Sequence, residues 1–319
     1  MIPSIDSANR SLSDPVELAA SRFLQQYIAS ESRILVGFSG GLDSVVLLNI
    51  ARQYPVEIVA VHVHHGLSPN ADQWAAFCQS TCESWNIPIQ LFHVAVPQAT
   101  GEGLEAAARR LRHAAFQQVT ADWILLAHHQ GDRAETVLFN LLRGAGVRGA
   151  GTMRARQGRI LRPLLSVSRE DIHRYALAKG LRWIEDESNA DIRHSRNFLR
   201  HVALPEIESR FPAAVARLAS AGRRFEEASN LLDELARLDL APDGMDFPVA
   251  VKKLAGLPEP RARNVLRYLL SHHGVGIPSE ERLSEALRQC LEARPDRHPS
   301  IAFGKFRICR RGKWITLED

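Results

Sequence analysis

Short apolar runs alternate with longer helix-periodic segments through the first two hundred residues. Residues 33–38, 56–63, 89–94 and 123–127 are too short for helices and are bounded by polar or turn residues, which predicts buried strands. Between them, residues 44–53, 71–86, 102–119 and 132–143 have the spacing of helices. This alternation implies an α/β fold, a mainly parallel twisted sheet with helices on both faces. A ligand is then expected beyond the carboxyl ends of the strands.

The pattern changes near 204–212, where two prolines flank a short helical segment before a long helix-compatible run, 213–240. Residues 261–271 and 280–293 follow as helices, then 301–309 and 313–317 as strands. The expected organisation is a catalytic domain over 1–205, a helical linker over 206–240 and a smaller α+β domain over 241–319.

Composition narrows the class. A chain of 319 residues with 45% hydrophobic content can bury a substantial core. It has no uninterrupted apolar run of membrane-spanning length, and residues 1–20 lack a signal-peptide pattern, so no membrane and a cytoplasmic location are expected. Cys78, Cys82, Cys290 and Cys309 form no CxxC pair, which suits a reducing compartment. The net charge of +4 decides little, but the stretch 136–169 carries Arg143, Arg148, Arg154, Arg156, Arg159, Arg162 and Arg169 with no acid. Two readings stand: a phosphate-contacting surface, or arginines spread over a solvated face.

The most informative segment is Val36-Gly37-Phe38-Ser39-Gly40-Gly41-Leu42-Asp43-Ser44, a strand, a glycine turn and the start of an apolar helix. Adjacent glycines let successive backbone N–H groups converge on an anion at the positive end of the helix. The GxxxxGK[ST] loop is excluded because no lysine is present. Ser39 and Ser44 offer hydroxyls, and Asp43 would repel phosphate unless a cation lay between, which implies magnesium.

A second cluster lies at Leu126-Ala127-His128-His129-Gln130-Gly131-Asp132-Arg133-Ala134-Glu135-Thr136. Asp132, Glu135 and Thr136 share one face of the helix starting there, near its positive end. Two carboxylates on that face suit an amine or a magnesium ion. His62, His64 and His65 alternate at the end of the second strand and read as structural rather than metal-binding.

The SGGLDS stretch resembles the pyrophosphate loop of the ATP pyrophosphatase superfamily. Leu126 to Gly149 resembles the HHxxDxxETxxxxxxRGxG signature of tRNA(Ile)-lysidine synthetases. Further matches to that family are Glu105 to Arg112, Arg162-Pro163-Leu164-Leu165, Glu185 to Asn189 and Arg196 to Arg200, with His113 departing from the usual tyrosine. The resemblance implies that ATP adenylates the wobble cytidine of an isoleucine tRNA with a CAU anticodon, after which L-lysine displaces AMP. It implies Ser39, Gly40, Gly41, Leu42, Asp43 and Ser44 as the pyrophosphate loop, and the Val63 backbone beside adenine. Asp43 and Asp132 are assigned to magnesium, and Asp132 and Glu135 to the lysine amine or magnesium. Arg109 and Arg112 would meet the lysine carboxylate or phosphate, and His128 would contact phosphate or position substrate. Arg143, Arg148, Arg154, Arg196 and Arg200 are the expected tRNA contacts, and a homodimer is a family-level expectation.

Two rivals are a tRNA cytidine thiolase and a non-catalytic nucleotide-responsive RNA-binding protein. Cys78 and Cys82 align with Trp74, Thr81 and Trp85 at helical spacing, which reads as core packing. The C-terminal run Lys305, Arg307, Arg310, Arg311 and Lys313, near Phe303, Phe306 and Trp314, is either a tRNA grip or an exposed hairpin with aromatics in the small core.

Overall fold

The computed structural model describes residues 14–97, 104–187, 191–242, 244–276, 279–294 and 297–319. Ser188 and Asn189, the start of the helix expected from Glu102, and part of the N-terminal stretch read for a signal lie outside these. The chain forms two compact units, 1–144 with 152–223, and 145–151 with 224–319. The division falls inside a single long helix, within the 206–240 segment assigned to a linker.

The first unit runs α1 (Pro15–Leu24), β1 (Arg33–Gly37), α2 (Leu42–Ala51), β2 (Glu57–His64), α3 (Ala71–Ser84), β3 (Ile89–His93), α4 (Leu104–Gln117), β4 (Trp123–Leu125) and α5 (Gln130–Leu142). After α6 (Val147–Ala150), which belongs to the second unit, come β5 (Arg156–Gln157), β6 (Ile160–Leu161), α7 (Arg169–Ala178), α8 (Ser195–Phe198), a π-helical turn at Leu199–Ala203 and α9 (Leu204–Arg210). The six strands are ordered β3-β2-β1-β4-β6-β5, all parallel except the β5–β6 pair. The mainly parallel sheet is as expected, with β5 and β6 added, which are too short to show a period.

Strand alternation divides the core into two layers. Ile34, Val36 and Ala60 face the layer that contains Leu47, Ile50, Cys78, Leu164 and Tyr175, while Leu35, Val59 and Val61 face the layer with Phe116, Val119 and Ile124. Helices therefore cover both faces. Because β1 lies between β2 and β4, the connections from β1 and β4 leave in opposite directions and open a crevice at their carboxyl ends.

In the second unit, α10 (Ala214–Leu240) leads to β7 (Val249–Ala250), α11 (Val251–Ala255), α12 (Glu259–His272), α13 (Glu280–Glu292), β8 (Ser300–Phe303), β9 (Phe306–Arg311) and β10 (Trp314–Glu318). The stretch 301–309, expected as one strand, is two. Phe303 pairs with Phe306 across a two-residue turn in which Gly304 has φ 65°, a conformation that favours glycine. The sheet β7-β10-β9-β8 is antiparallel where its strands pair, and its inner face packs Phe303, Ile308 and Ile315 against Leu266, Leu269, Leu283 and Leu287. Among the described residues, no helix is long and apolar enough to cross a membrane.

Candidate active site

The glycine loop is shaped by close approach. A Cβ on Gly37 would stand 2.9 Å from Leu126 and 3.0 Å from Phe116, and one on Gly40 would stand 2.7 Å from Ile184, at a φ of 83°. Gly40 is held there because its carbonyl accepts from Ile184 N at 2.9 Å. Gly41 is the N-cap of α2, and the first bond of that helix runs from Val45 N to Gly41 O. The amides of Leu42, Asp43 and Ser44 therefore precede any carbonyl that could pair with them inside the helix. Ser44 Oγ donates to Gly41 O at 2.9 Å and lies 3.1 Å from Ser39 Oγ, so both hydroxyls expected to serve a phosphate are already engaged with the loop.

Asp43 follows the loop with its Oδ1 buried and without a hydrogen-bond partner. Burial raises its carboxyl above the ordinary range, and Asp132 adds to this while His129, Arg169 and Arg200 oppose it. An unpartnered carboxylate oxygen beside a turn of open amides fits magnesium. That ion is commonly held by one or two carboxylates, with phosphate oxygens completing its shell.

His129 is the residue to which the local pattern assigned no role. It caps α5: its Nδ1 accepts from Gly131 N at 2.9 Å, and its backbone N donates to Asp132 Oδ2 at 2.9 Å. Accepting at Nδ1 leaves the proton on Nε2, which lies 3.7 Å from Asp132 and 4.0 Å from Asp43. His129 thus stands between the two carboxylates expected to hold magnesium. A capping-box pattern with histidine in the cap position was the available signal.

His128 has the complementary arrangement. Arg162 Nε donates to its Nδ1 at 3.0 Å, which also fixes the proton on Nε2. Burial, assisted by Arg162, Arg109 and Arg112, pushes its pKa down to about 3 against the pull of Asp132, so at neutral pH it is an uncharged N–H donor. Arg112 lines the same cavity from α4, whereas Arg109 acts on it electrostatically from outside the lining.

Arg200, from the π-helical turn, closes the cluster. Its Nε donates to Glu135 Oε1 at 2.6 Å, and its Nη2 donates to Glu135 Oε2 at 2.9 Å and Asp132 Oδ1 at 2.8 Å. Burial raises the Glu135 carboxyl even so. Asp132 is driven up by burial but ends below its ordinary range under His129, His128 and Arg200.

Ser39, Gly41, Leu42, Asp43, Ser44, Val63, Arg112, His128, Asp132 and Arg200 line one cavity of about 1410 Å³ at the carboxyl ends of β1, β2 and β4. Glu135 reaches it through its shared partner, Arg200. Cys78 and Cys82 are fully buried, with thiols pushed up by burial, Cys82 to about 12, which makes them packing groups.

A PP-loop domain model matches residues 13–207, and a TilS substrate binding domain model matches residues 250–315. A tRNA(Ile)-lysidine synthase of Aromatoleum aromaticum is 49% identical over 82% of this chain and 63% of its own length. The synthase of Coxiella burnetii is 36% identical over 92% of this chain and 67% of its own. The chain belongs to the tRNA(Ile)-lysidine synthase family. It spans less than two thirds of the Aromatoleum relative and 61% of one from Azoarcus. The U34-tRNA thiolase of Methanococcus maripaludis, at a TM-score of 0.55 and 15% identity, covering 66% of this chain and 78% of its own, shares the fold.

In this member of the lysidine synthase family, the arginines expected to meet tRNA do not share one environment. Arg143 is exposed and lies over the Phe139 ring at 5.2 Å. Arg154 and Arg196 are half-buried. Arg148 pairs with Asp233 and donates to Asn264 Oδ1 at 2.9 Å, inside the second unit. Arg200 belongs to the carboxylate cluster. The acid-free run is similarly divided, since Arg162 is buried and Arg159 donates to Ala121 O at 2.7 Å. At the C-terminus, Arg310 is buried and donates to the carbonyls of Cys290 (2.9 Å) and Ala293 (2.6 Å) at the end of α13, and to Gly312 (3.0 Å). Phe303 enters the small core, whereas Trp314 is 50% exposed.

Proposed function

We propose that this chain adenylates the wobble cytidine of an isoleucine tRNA with a CAU anticodon, using ATP, and joins L-lysine to it to give lysidine, AMP and pyrophosphate. The observation that carries this reading is one cavity that joins the anion-binding turn of α2 to a pair of carboxylates holding a cationic nitrogen. The open amides of Leu42 to Ser44 suit the pyrophosphate of ATP, with Ser39, Gly40 and Gly41 shaping the turn and the Val63 backbone bordering adenine. Asp43 and Asp132 would hold magnesium, which when bound offsets the negative charge of the departing pyrophosphate.

In the first step the cytosine O2 attacks the α phosphorus and pyrophosphate leaves. The neutral His128 Nε2–H can donate to a phosphate oxygen throughout, because the ring stays uncharged near pH 7. In the second step the uncharged ε-amine of lysine bonds to C2, the C2–O bond breaks, and AMP leaves with its electron pair. Lysine arrives as an ammonium with a pKa of about 10.4, so a proton must be accepted before attack. Glu135, whose carboxyl is raised by burial, is suited to accept it, with Asp132 orienting the amine. Arg109 and Arg112 supply positive charge for the lysine carboxylate or phosphate.

Arg143, Arg148, Arg154, Arg196 and Arg200 stand as the proposed tRNA contacts. Arg200 would have to exchange its carboxylates for the incoming amine. A cytoplasmic location and a homodimer belong to the same proposal.

Incubating the chain with ATP, magnesium, labelled lysine and purified isoleucine and methionine tRNA transcripts tests this. Label recovered in a modified cytidine of the isoleucine transcript alone is expected. Pyrophosphate release with no label in tRNA would overturn the ligase reading.

A further inference from the structure

The four-stranded sheet of the second unit has two unlike faces. Its inner face is the small core. The strand register sets Trp314 opposite Arg311 on β9 and opposite Ala250 on β7, and Glu318 opposite Arg307. Directly opposed residues share a face, so Trp314, Arg311, Arg307, Glu318, Thr316 and Ala250 all lie on the outer side.

Trp314 therefore stands between Ala250 and Arg311 in register, with the Arg311 guanidinium held by Glu318. Residues 300–319 carry Lys305, Arg307, Arg310, Arg311 and Lys313 against only Glu318 and Asp319. Arg310 is turned inward, and Glu318 binds Arg311 at 2.8 and 2.9 Å. Lys313 precedes the ring in the chain, whereas Arg307, opposite Glu318, and Lys305, in the β8–β9 turn, lie along β9 toward its other end, about 13 Å or more away at about 3.3 Å per strand residue. All three are exposed, with Arg307 Nε donating to Ser300 Oγ at 2.8 Å.

A single exposed tryptophan is ordinary. Here the ring stands at one end of a sheet face along which exposed cations run and whose other members are small or polar, which gives a protein partner little apolar area. An unstacked nucleobase needs only the flat face of the ring, and its phosphates match the cations.

We propose that the outer face of β7-β10-β9-β8 is an RNA platform on which Trp314 stacks one unpaired base of the tRNA while Lys313 meets an adjacent phosphate and Arg307 and Lys305 meet phosphates further along the RNA. The inference rests on the tRNA-modifying reading and adds where and how the second unit grips that substrate. Stacking depends on the π face and not on base identity, so the platform contributes affinity with little sequence preference.

The test measures binding of the full chain and its Trp314→Leu, Trp314→Phe and Lys313→Gln variants to the isoleucine tRNA transcript and to a ten-residue oligouridine across a salt series. Trp314→Leu, which keeps apolar bulk but loses the ring, should weaken both RNAs about tenfold with an unchanged salt slope, while Trp314→Phe stays within about threefold of the parent. Lys313→Gln should lower the slope by about one. Parent-like affinity of Trp314→Leu for both RNAs would overturn the platform and leave the ligase reading intact. Loss of self-association without loss of RNA affinity would also overturn it, making the face a contact between copies. Failure of the parent chain to bind tRNA at all would remove both readings.

Discussion

Arg200 and Arg310 are both arginines drawn out of solvent, and the two regions that hold them use them in opposite ways. Arg310 sits at the end of α13 and gives its guanidinium to backbone carbonyls that have no partner within the helix. Every group there is neutral except the arginine, and the arrangement is complete. Arg200 sits in the cavity between two carboxylates, one of which burial raises, beside a third whose Oδ1 has no partner. That arrangement is incomplete, because the third carboxylate keeps one buried oxygen without a partner although Arg112 and Arg169 also line the cavity. Complete hydrogen bonding marks structure in this molecule, and the incomplete cluster is where the proposed chemistry falls.

The sharpest way to break this contrast is Asp43→Ala. If the unpartnered acid serves ATP, tRNA-dependent pyrophosphate release should fall by about 10²–10³-fold or more. Stability should not fall, because the variant removes a carboxyl that burial disfavours. Near-normal turnover in a stopped assay would take Asp43 out of the site.

Arg310→Met is the opposite experiment, since it leaves four carbonyls, those of Cys290, Leu291, Ala293 and Gly312, without that donor. A loss of about 2–4 kcal/mol is expected in urea unfolding of the second unit. A cost under about 0.5 kcal/mol would mean that water replaces the guanidinium there.

Glu135→Gln should separate the two chemical steps. Adenylated tRNA should still form, while its capture by lysine slows by roughly ten- to a hundredfold, the value of one charge-assisted contact of about 1.5–3 kcal/mol. Equal loss in both steps, read by single-turnover pyrophosphate and lysine assays, would move Glu135 into the ATP site.

His128 gives a test in pH. Its folded pKa of about 3 lies below the ordinary value of about 6.5. As pH falls the unfolded chain takes up that proton first, so the stability tied to the neutral imidazole is whole above about 6.5 and drains as pH approaches 3. Urea midpoints between pH 7 and 4 should fall less steeply in His128→Gln than in the parent. Parallel curves would mean that His128 is not held neutral.

The smallest expected effect is that of Arg311→Met, at an exposed partner of Glu318, whose urea midpoint should match the parent's because solvent screens the pair. It differs from Arg310→Met by one position in the chain and one face of the sheet. Equal costs for the two would erase the distinction between the inward and outward arginines.

Much of the cavity is legible in the amino-acid sequence. The turn between β1 and α2 is legible because its two glycines, acid and apolar helix are consecutive in the chain, although the close approaches that require glycine, from Leu126, Phe116 and Ile184, are tertiary. The common face of Asp132, Glu135 and Thr136 follows from 3.6 residues per turn, and the parallel sheet follows from its alternating periods. Other features have no local signal. Strands β5 and β6 are too brief to show a period, and only their bonds to β4 and to each other define them. The break of 301–309 turns on one glycine that could equally sit inside a strand.

The amino-acid sequence by itself determined the glycine turn, the carboxylate face of α5 and the family, because each is read from residues close together in the chain. Only the tertiary structure decided that Arg200 joins Glu135 across 65 positions, that Arg310 points inward while Arg311 points out, and that Trp314 stands between Ala250 and Arg311. An arginine carries the same charge and donors wherever it stands. Whether it caps a helix, neutralises an acid or faces solvent depends on which acceptors the fold brings within about 3 Å, and that distance is set by packing rather than by position in the chain.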